Sequence, residues 1–246
     1  MFNFFTNNAK IDNCYHLDGE NFNHAINVLR MSVGDKILIS HQNASSLCQI
    51  AQIFDDYLVA SILEEKYLET ELDVEVYLFQ GLPKADKLEL IIQKAVELGA
   101  SKIIPTQMAR SVVKIEEKKK DAKTQRWQAI AESGAKQSKR NVIPQVVCPQ
   151  SFKGALEIAS KLDLVLVPYE NANGMLDTKT ALSQIQKGNK VGIFIGPEGG
   201  FDQKEIDLLK ELNNTHIVSL GKRILRTETA SITALAMVML YCETNL

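Results

Sequence analysis

From residue 74 onward the sequence alternates between strand-like and helix-like segments, and this alternation constrains the fold more than any other feature. Strands are predicted at residues 74–80, 102–105, 142–147, 163–167, 191–195 and 216–220. Helices with apolar residues at helical spacing are predicted at 84–98, 125–138, 153–160, 203–212 and 229–241, and a charged connection at 116–123. Repeated strand–helix units predict an α/β fold, with a mostly parallel sheet covered by helices on both faces.

Residues 1–70 follow a different pattern. Short strand-like runs at 36–40, 47–54 and 58–63 are separated by polar turn residues, and residues 20–30 have apolar side chains at helical spacing. This pattern predicts a small β-barrel that carries one helix. The acidic stretch 64–73 is the expected linker, so the predicted domains are residues 1–70 and 74–246.

The charge is distributed unevenly along the chain. The formal net charge is −2, yet residues 1–70 carry 4 Lys/Arg against 9 Asp/Glu, whereas residues 81–140 carry 14 against 7. A local excess of basic residues favours a surface that faces a polyanion such as RNA. The alternative is a set of solvated helix faces with no partner.

Cysteine and histidine usage argues against a disulfide framework and against a metal site. The four cysteines are scattered without Cys-x-x-Cys spacing, and the four histidines are equally dispersed.

The first residues lack the basic and apolar regions of a signal peptide, and the longest apolar stretch, 232–241, is too short to span a bilayer. These features predict a cytoplasmic protein that binds no metal.

The turn after the predicted strand 191–195 is unusual in its residue types. It contains three glycines, a proline and a carboxylate, in the order Gly196-Pro197-Glu198-Gly199-Gly200. Asp202 and Glu205 then predict a capping box at the start of a helix. Glu198 would repel a phosphate, and no Gly-Lys-Ser/Thr follows, so a cationic or amine-bearing ligand fits better.

Two further strand ends are expected to lie beside this turn. One is the segment 167–170, and the other is 220–230, which again leads from a strand into a helix. Together the three ends could form one pocket, in which backbone groups of Gly196, Gly199, Leu220 and Leu225 contact a flat heterocycle. The alternatives are ordinary turn glycines, Glu228 as a favourable charge in a first helical turn, and Arg226 as a surface cation.

These two glycine-containing segments resemble the signature of the SPOUT class of RNA methyltransferases. The similarity is greatest to the 16S ribosomal RNA (uracil-N3)-methyltransferase family, and it extends over nearly the whole chain. The other matching segments are 24–30, 87–99, 110–114, 126–127 and 137–140. Lys136 stands where some members carry Glu, so no acid at that position can have a catalytic role in this chain.

The resemblance implies a PUA-like RNA-binding barrel, followed by a methyltransferase domain with a trefoil knot. It also implies a homodimer, S-adenosylmethionine (SAM) as cofactor, and 16S ribosomal RNA of the small subunit as substrate. The expected catalytic candidates are Arg226, Glu198 and Glu228. The expected cofactor-binding residues are Pro168, Ile195, Gly196, Glu198, Gly199, Gly200, Leu220, Gly221, Ile224, Leu225, Arg226, Thr229 and Ala230.

The same resemblance predicts which residues contact RNA. They are His24, Arg30, Arg110, Lys114, Arg126, Lys139 and Arg140. Two other functions stay open at this point. One is a SPOUT methyltransferase that acts on another RNA such as transfer RNA, and the other is a non-catalytic RNA-binding factor in ribosome assembly.

Overall fold

A computed structural model describes residues 1–169 and 174–246 of the chain. It divides into two compact units. The first comprises Met1–Glu71 and Ala135–Ile143, and the second comprises Leu72–Gly134 and Pro144–Leu246.

The first unit is built on a five-stranded sheet in the order β1-β3-β4-β5-β2. Its strands are β1 (Asn3–Phe5), β2 (Cys14–Asp18), β3 (Lys36–His41), β4 (Ala44–Ile53) and β5 (Tyr57–Glu64). All neighbours pair antiparallel except β1 and β3, which pair parallel. The three predicted strands are confirmed, and the short strands β1 and β2 are additional. Phe4 of β1 and Leu17 of β2 are fully buried, so both strands contribute to this unit's core.

The predicted helix of the first unit is present but irregular. α1 (Gly19–Asn23) continues directly into a π-helical turn, His24–Val28. The wider turn is closed by a bond from the Leu29 N–H to the His24 carbonyl, at 2.9 Å.

The second unit contains a seven-stranded sheet whose strands all pair parallel. The strands are β6 (Glu75–Gly81), β7 (Ala100–Gln107), β8 (Gln145–Val146), β9 (Gln150–Ser151), β10 (Leu164–Pro168), β11 (Lys190–Ile195) and β12 (Thr215–Val218). Their order is β12-β10-β11-β6-β7-β8, and β9 also pairs with β7. The predicted parallel sheet is therefore confirmed, although the expected strand 142–147 is reduced to β8.

Within residues 1–169 and 174–246, six further helices follow α1. They are α2 (Lys87–Glu97), α3 (Glu117–Ser138), α4 (Phe152–Ala159), α5 (Met175–Leu182), α6 (Gln203–Lys210) and α7 (Thr227–Asn245). The prediction of a charged connection at 116–123 is wrong, because the helix already begins at Glu117. Lys and Glu are good helix formers, and Lys120 pairs with Glu117 one turn away. α5 was not predicted.

The second unit's core lies against the middle of its sheet. Phe79 of β6 and Phe194 of β11 stack with ring centroids 4.2 Å apart. Both side chains are fully buried, as are most of the residues of these two strands. Side chains buried on both faces of the strands are the reason why the sequence shows continuous apolar runs there. The packing fixes the C-terminal ends of β6 and β11 side by side.

The helices within the described ranges include none that is both long enough and apolar enough to cross a membrane. Among the same residues, no group of three or more His, Cys, Asp or Glu side chains is arranged to hold a metal ion.

Candidate functional site

The C-terminal ends of β6, β10, β11 and β12 meet at one edge of the parallel sheet, and a cavity of about 660 Å³ opens there. Two loops form most of its walls. One is the glycine loop, residues 196–200, and the other is the 219–226 loop, which joins β12 to α7. The three predicted strand ends therefore do come together, although Glu170 in the first of them lies outside the described residues.

Twelve of the thirteen expected cofactor-binding residues line this cavity. They are Pro168, Ile195, Gly196, Glu198, Gly199, Gly200, Leu220, Gly221, Ile224, Leu225, Arg226 and Ala230. Thr229 is not among the lining residues, and its side chain is exposed on the first turn of α7. Lys87, Tyr169, Phe201 and Gln203 also line the cavity and were not predicted.

The glycine loop is held by close backbone packing. A Cβ atom built on Gly81, the last residue of β6, would lie 2.6 Å from the nitrogen of Pro197. A Cβ atom on Gly199 would lie 3.0 Å from the Cβ of Arg110. The distance at Gly81 is too short for any side chain, and the distance at Gly199 is at the lower limit of real contacts. These glycines therefore allow the loop to approach β6 and the segment that follows β7.

A buried hydrogen-bond network joins the glycine loop to α7. The Thr227 hydroxyl donates to the carbonyl of Gly196 at 2.7 Å and accepts from the Gln80 side-chain amide at 3.0 Å. The Ser231 hydroxyl donates to the other end of the same amide and also contacts the Thr227 carbonyl. Gln80 is 0% exposed, and burial of an amide is tolerated only when its polar atoms are paired. The network thus ties β6, the glycine loop and α7 together.

The predicted capping box at the start of α6 is confirmed. The Asp202 carboxylate accepts from the Lys204 N–H at 3.1 Å, and the Glu205 carboxylate accepts from the Asp202 N–H at 2.9 Å. The second oxygen of Glu205 accepts from the Ala109 N–H at 2.8 Å. Because Glu205 is buried, this charge-assisted bond also fixes the segment after β7 against α6.

Arg110 follows directly and contacts the glycine loop. Its guanidinium donates to the Gly199 carbonyl at 3.1 Å and lies 3.8 Å from the Asp202 carboxylate. The side chain remains about half exposed, at the rim of the cavity. Arg110 was predicted to contact RNA, and this position leaves its exposed face open to a substrate.

Lys87 joins two carboxylates, one from the glycine loop and one from the first turn of α7. Its ammonium lies 3.1 Å from the Glu198 carboxylate and 3.2 Å from that of Glu228. Both oxygens of Glu198 also accept one bifurcated bond from the Lys84 N–H, at 3.1 and 3.4 Å. The Glu228 contact is an ion pair by distance but lacks hydrogen-bond geometry, since its buried oxygen has no hydrogen-bond partner among the described residues.

The ion pairs shift the pKa values of this group. Burial alone would raise the pKa of Glu198, but hydrogen bonds from its own N–H and that of Lys84, together with the Lys87 ammonium, lower it overall. The pKa of Lys87 is raised, chiefly by its hydrogen bond to Glu198. Two carboxylates share one ammonium, so the cluster has one negative charge in excess. This excess equals the charge that a free Glu198 would supply, and around Glu198 it favours a cationic ligand over a phosphate.

The 219–226 loop is much more open. Ile224 is 89% exposed, and the side chains of Lys222, Arg223 and Arg226 also face solvent. Its first residue is fixed by a pair of bonds between Ser219 and the Thr178 hydroxyl, each 2.9 Å. Beyond that point the loop presents apolar and cationic side chains at the cavity mouth.

The predicted RNA-contacting residues differ in their environments. In the first unit, Arg30 and Lys139 are exposed, and the ring of His24 lies 5.9 Å from that of Phe4. In the second unit, Lys114 is exposed, and Arg126 is largely exposed while it pairs with Glu89 at 2.8 Å.

Arg140 requires a correction. Arg140 is only 4% exposed, and its guanidinium forms an ion pair with the Glu71 carboxylate through several hydrogen bonds. Glu71 also accepts from the Asn141 N–H at 2.9 Å, and the Asn3 amide donates to the Arg140 carbonyl at 2.9 Å. A buried guanidinium that is occupied by a carboxylate is a structural ion pair. We therefore no longer expect Arg140 to contact an RNA phosphate.

Both units are similar to known proteins. Residues 70–239 match the family model of an RNA methyltransferase domain, and residues 17–63 match that of an RNA methyltransferase PUA domain. Ribosomal RNA small subunit methyltransferase E of Bacillus subtilis (strain 168) is 39% identical over 93% of this chain and 91% of its own length.

Two solved structures extend the similarity to the fold. Ribosomal RNA small subunit methyltransferase E from Neisseria gonorrhoeae, bound to SAM, has 27% identity and a TM-score of 0.81, over 98% of this chain and 97% of its own. A methyltransferase from Legionella pneumophila, also bound to SAM, has 28% identity and a TM-score of 0.82, over 97% and 96%. The expected PUA-like barrel before a methyltransferase domain is thus confirmed, and the chain belongs to the family of RNA methyltransferases that includes ribosomal RNA small subunit methyltransferase E.

Proposed function

We propose that this protein transfers a methyl group from SAM to ring N3 of a uridine in 16S ribosomal RNA of the small subunit. The observation that carries the proposal is the cavity at the strand ends, with the glycine loop on one side and Arg226 on the other. The family relationship and the SAM-bound structures of related proteins support the choice of cofactor and reaction.

The residues of the cavity fit SAM by charge and shape. The excess negative charge around Glu198 suits a ligand with a sulfonium and an amine, and backbone groups of the glycine loop allow close approach of a flat adenine. Eleven of the twelve lining residues named above would hold it, and Arg226, the twelfth, would face the RNA base. When bound, SAM supplies an electrophilic methyl group that needs little further activation.

Arg226 is the proposed catalytic residue. Its side chain is exposed at the cavity, at the N-terminal boundary of α7. A guanidinium there would stabilise the negative charge that develops on the uracil carbonyls when N3 loses its proton. The target uridine has to be unpaired or rotated out of its stack to reach this position.

The two glutamates are better explained as positioning residues than as proton acceptors. Glu198 is engaged by Lys87 and by the Lys84 N–H, and its lowered pKa makes it a weaker base than an ordinary glutamate. Glu228 is not among the residues that line the cavity, and its carboxylate lies against Lys87. We therefore propose that both hold the cavity walls in place.

RNA would be bound by basic side chains of each unit. We propose Arg30 and Lys139, with His24, in the first unit, and Arg110, Lys114 and Arg126 in the second. We further propose that residues 1–70 act as the RNA-binding domain and residues 74–246 as a knotted methyltransferase domain. By likeness to its family, the protein would work as a cytoplasmic homodimer, which light scattering of the purified protein can test.

The proposal is tested by incubating the protein with radiolabelled SAM and three RNAs: naked 16S RNA, small subunits that lack this modification, and transfer RNA. Digestion and mass spectrometry then identify the product nucleoside. We expect 3-methyluridine in one of the ribosomal substrates only. Methylation of transfer RNA would establish the other substrate class, and binding of RNA without any transfer would favour an assembly factor.

A further inference from the structure

A second cavity, of about 350 Å³, lies in the second unit beside the segment that joins β6 to α2. This segment and the first residue of α2 separate the two cavities. Leu82, Pro83 and Asp86 line the second cavity, whereas Lys87 lines the first and the Lys84 N–H binds Glu198. The two cavities therefore share one wall.

The floor of the second cavity is apolar. Leu82, Leu88 and Trp127 are almost completely buried, and Val113 and Ile115 are half-buried. An opening of this volume with aliphatic and aromatic walls matches the space that a single nucleobase and its sugar occupy.

Three cations lie along one side of this cavity, on the first turns of α3. Lys119, Lys123 and Arg126 are spaced four and three residues apart, so they share one face of the helix. Their present contacts are a Lys119–Glu116 pair at 3.3 Å, Lys123 at 5.7 Å from the Trp127 ring centroid, and the exposed Arg126–Glu89 pair. Exposed pairs of this kind contribute little, so a phosphate can replace them.

We propose that the second cavity binds a nucleotide of the substrate RNA that flanks the methylated uridine. Its base would rest on the apolar floor, and its phosphate would lie against Lys119 and Lys123. Two acidic residues, Asp86 and Glu89, also line the second cavity. They favour a base with an exocyclic amine, because carboxylates accept hydrogen bonds from such groups. The inference rests on the proposed function, since it gives the same substrate a second point of attachment.

Ala122, which is exposed and lines the cavity, allows the site to be blocked without disturbing the core. We expect Ala122→Trp to raise KM for the ribosomal substrate about tenfold, the size of one lost base contact, while KM for SAM stays unchanged. Ala129→Trp is the matched control, since Ala129 is exposed two turns further along α3 and lines neither cavity. A wild-type KM for RNA in the Ala122→Trp variant would overturn the proposal.

A second measurement separates this inference from the proposed function. Binding of the ribosomal RNA to Lys123→Gln, followed against salt concentration without turnover, should show a shallower slope by about one, whereas Lys118→Gln should change it less. If the wild-type protein methylates nothing, the proposed function fails while these binding results still stand. If RNA is methylated but Lys123→Gln and Ala122→Trp bind it normally, only the second site fails.

Discussion

The two loops that wall the main cavity both lead from a strand into a helix, yet they are held in opposite ways. The glycine loop is packed against β6 and hydrogen-bonded to Thr227 and to the Arg110 guanidinium. The 219–226 loop is anchored at Ser219, and its middle is exposed, with Ile224 at 89%. One wall is thus fixed before any ligand arrives, and the other leaves its side chains free to meet one.

The difference suggests a division of work between the walls. A small cofactor gains affinity from a pocket that is already formed, because little ordering is needed on binding. A large RNA needs exposed cationic and apolar groups that it can cover. We therefore expect changes in the glycine wall to affect SAM binding and stability, and changes in the open wall to affect RNA and turnover.

The largest effect is expected from Gly81→Ala. The added methyl group would lie 2.6 Å from the Pro197 nitrogen, which belongs to the backbone and cannot rotate away. Overpacking of this kind destabilises by about 1–3 kcal/mol, and the displaced glycine loop should bind SAM at least tenfold more weakly. Urea unfolding and titration calorimetry measure the two effects.

Gly154→Ala serves as the control for Gly81→Ala. The new methyl group in α4 would lie 3.0 Å from the flexible end of the Gln150 side chain and at an ordinary contact distance, 3.5 Å, from the Ser151 hydroxyl. Alanine is also the better helix former, so this variant should be as stable as the wild type or slightly more stable. Equal losses in both variants would contradict the special role of the glycine wall.

A somewhat smaller effect is expected from Thr227→Val, which keeps the side-chain shape but removes the hydroxyl. The Gly196 carbonyl loses its donor and the Gln80 amide loses an acceptor. Buried polar groups left without partners cost about 1–3 kcal/mol, so urea unfolding should show a loss in that range. Thr244→Val, at an exposed position near the end of α7, should change stability by less than about 0.5 kcal/mol.

Lys87→Met should have a small effect on stability at neutral pH and a clearer effect on the pH dependence of SAM binding. Wild-type Glu198 has a lowered pKa, so its charge persists through the usual carboxyl range and is lost only as pH falls through that lowered value. Without the ammonium, burial is opposed only by the N–H groups of Glu198 and Lys84, so the pKa of Glu198 rises from its lowered value and protonation begins at a higher pH.

Because the ordinary glutamate pKa is about 4.3, SAM affinity of the Lys87→Met variant should fall between pH 7 and about pH 4 more steeply than that of the wild type. Calorimetric titrations at the two pH values test this, and Lys87→Arg should restore most of the wild-type behaviour. Parallel pH profiles for wild type and Lys87→Met would show that the cluster does not control the cofactor site.

The sequence predicted the local features of the site well, because their chemistry involves neighbouring residues. The capping box at Asp202 and Glu205 is an example, since both side chains lie within one helical turn. The parallel sheet could be predicted from its apolar runs. The 117–123 part of α3 could not, because it lacks an apolar stripe and its helical signal consists only of propensity and charge pairs.

Features that depend on strand order were beyond sequence patterns. Lys87 meets Glu198 only because β11 lies next to β6, although more than a hundred residues separate the two in sequence. The sequence offered one indication that Lys87 belongs to the site, namely its place at the start of a helix that follows a strand. In the same way, the motif at Arg140 predicted an RNA contact, but the burial of Arg140 against Glu71 depends on packing between segments about 70 residues apart.

Arg226→Ala tests the division between the walls most directly, provided that the rate of methyl transfer and the SAM dissociation constant are measured on the same preparation. Arg226 lies at the open wall, so its loss should remove nearly all transfer to uridine N3, while SAM binding stays within about threefold of the wild type. Near-normal transfer by this variant, or loss of transfer explained entirely by weaker SAM binding, would contradict the account.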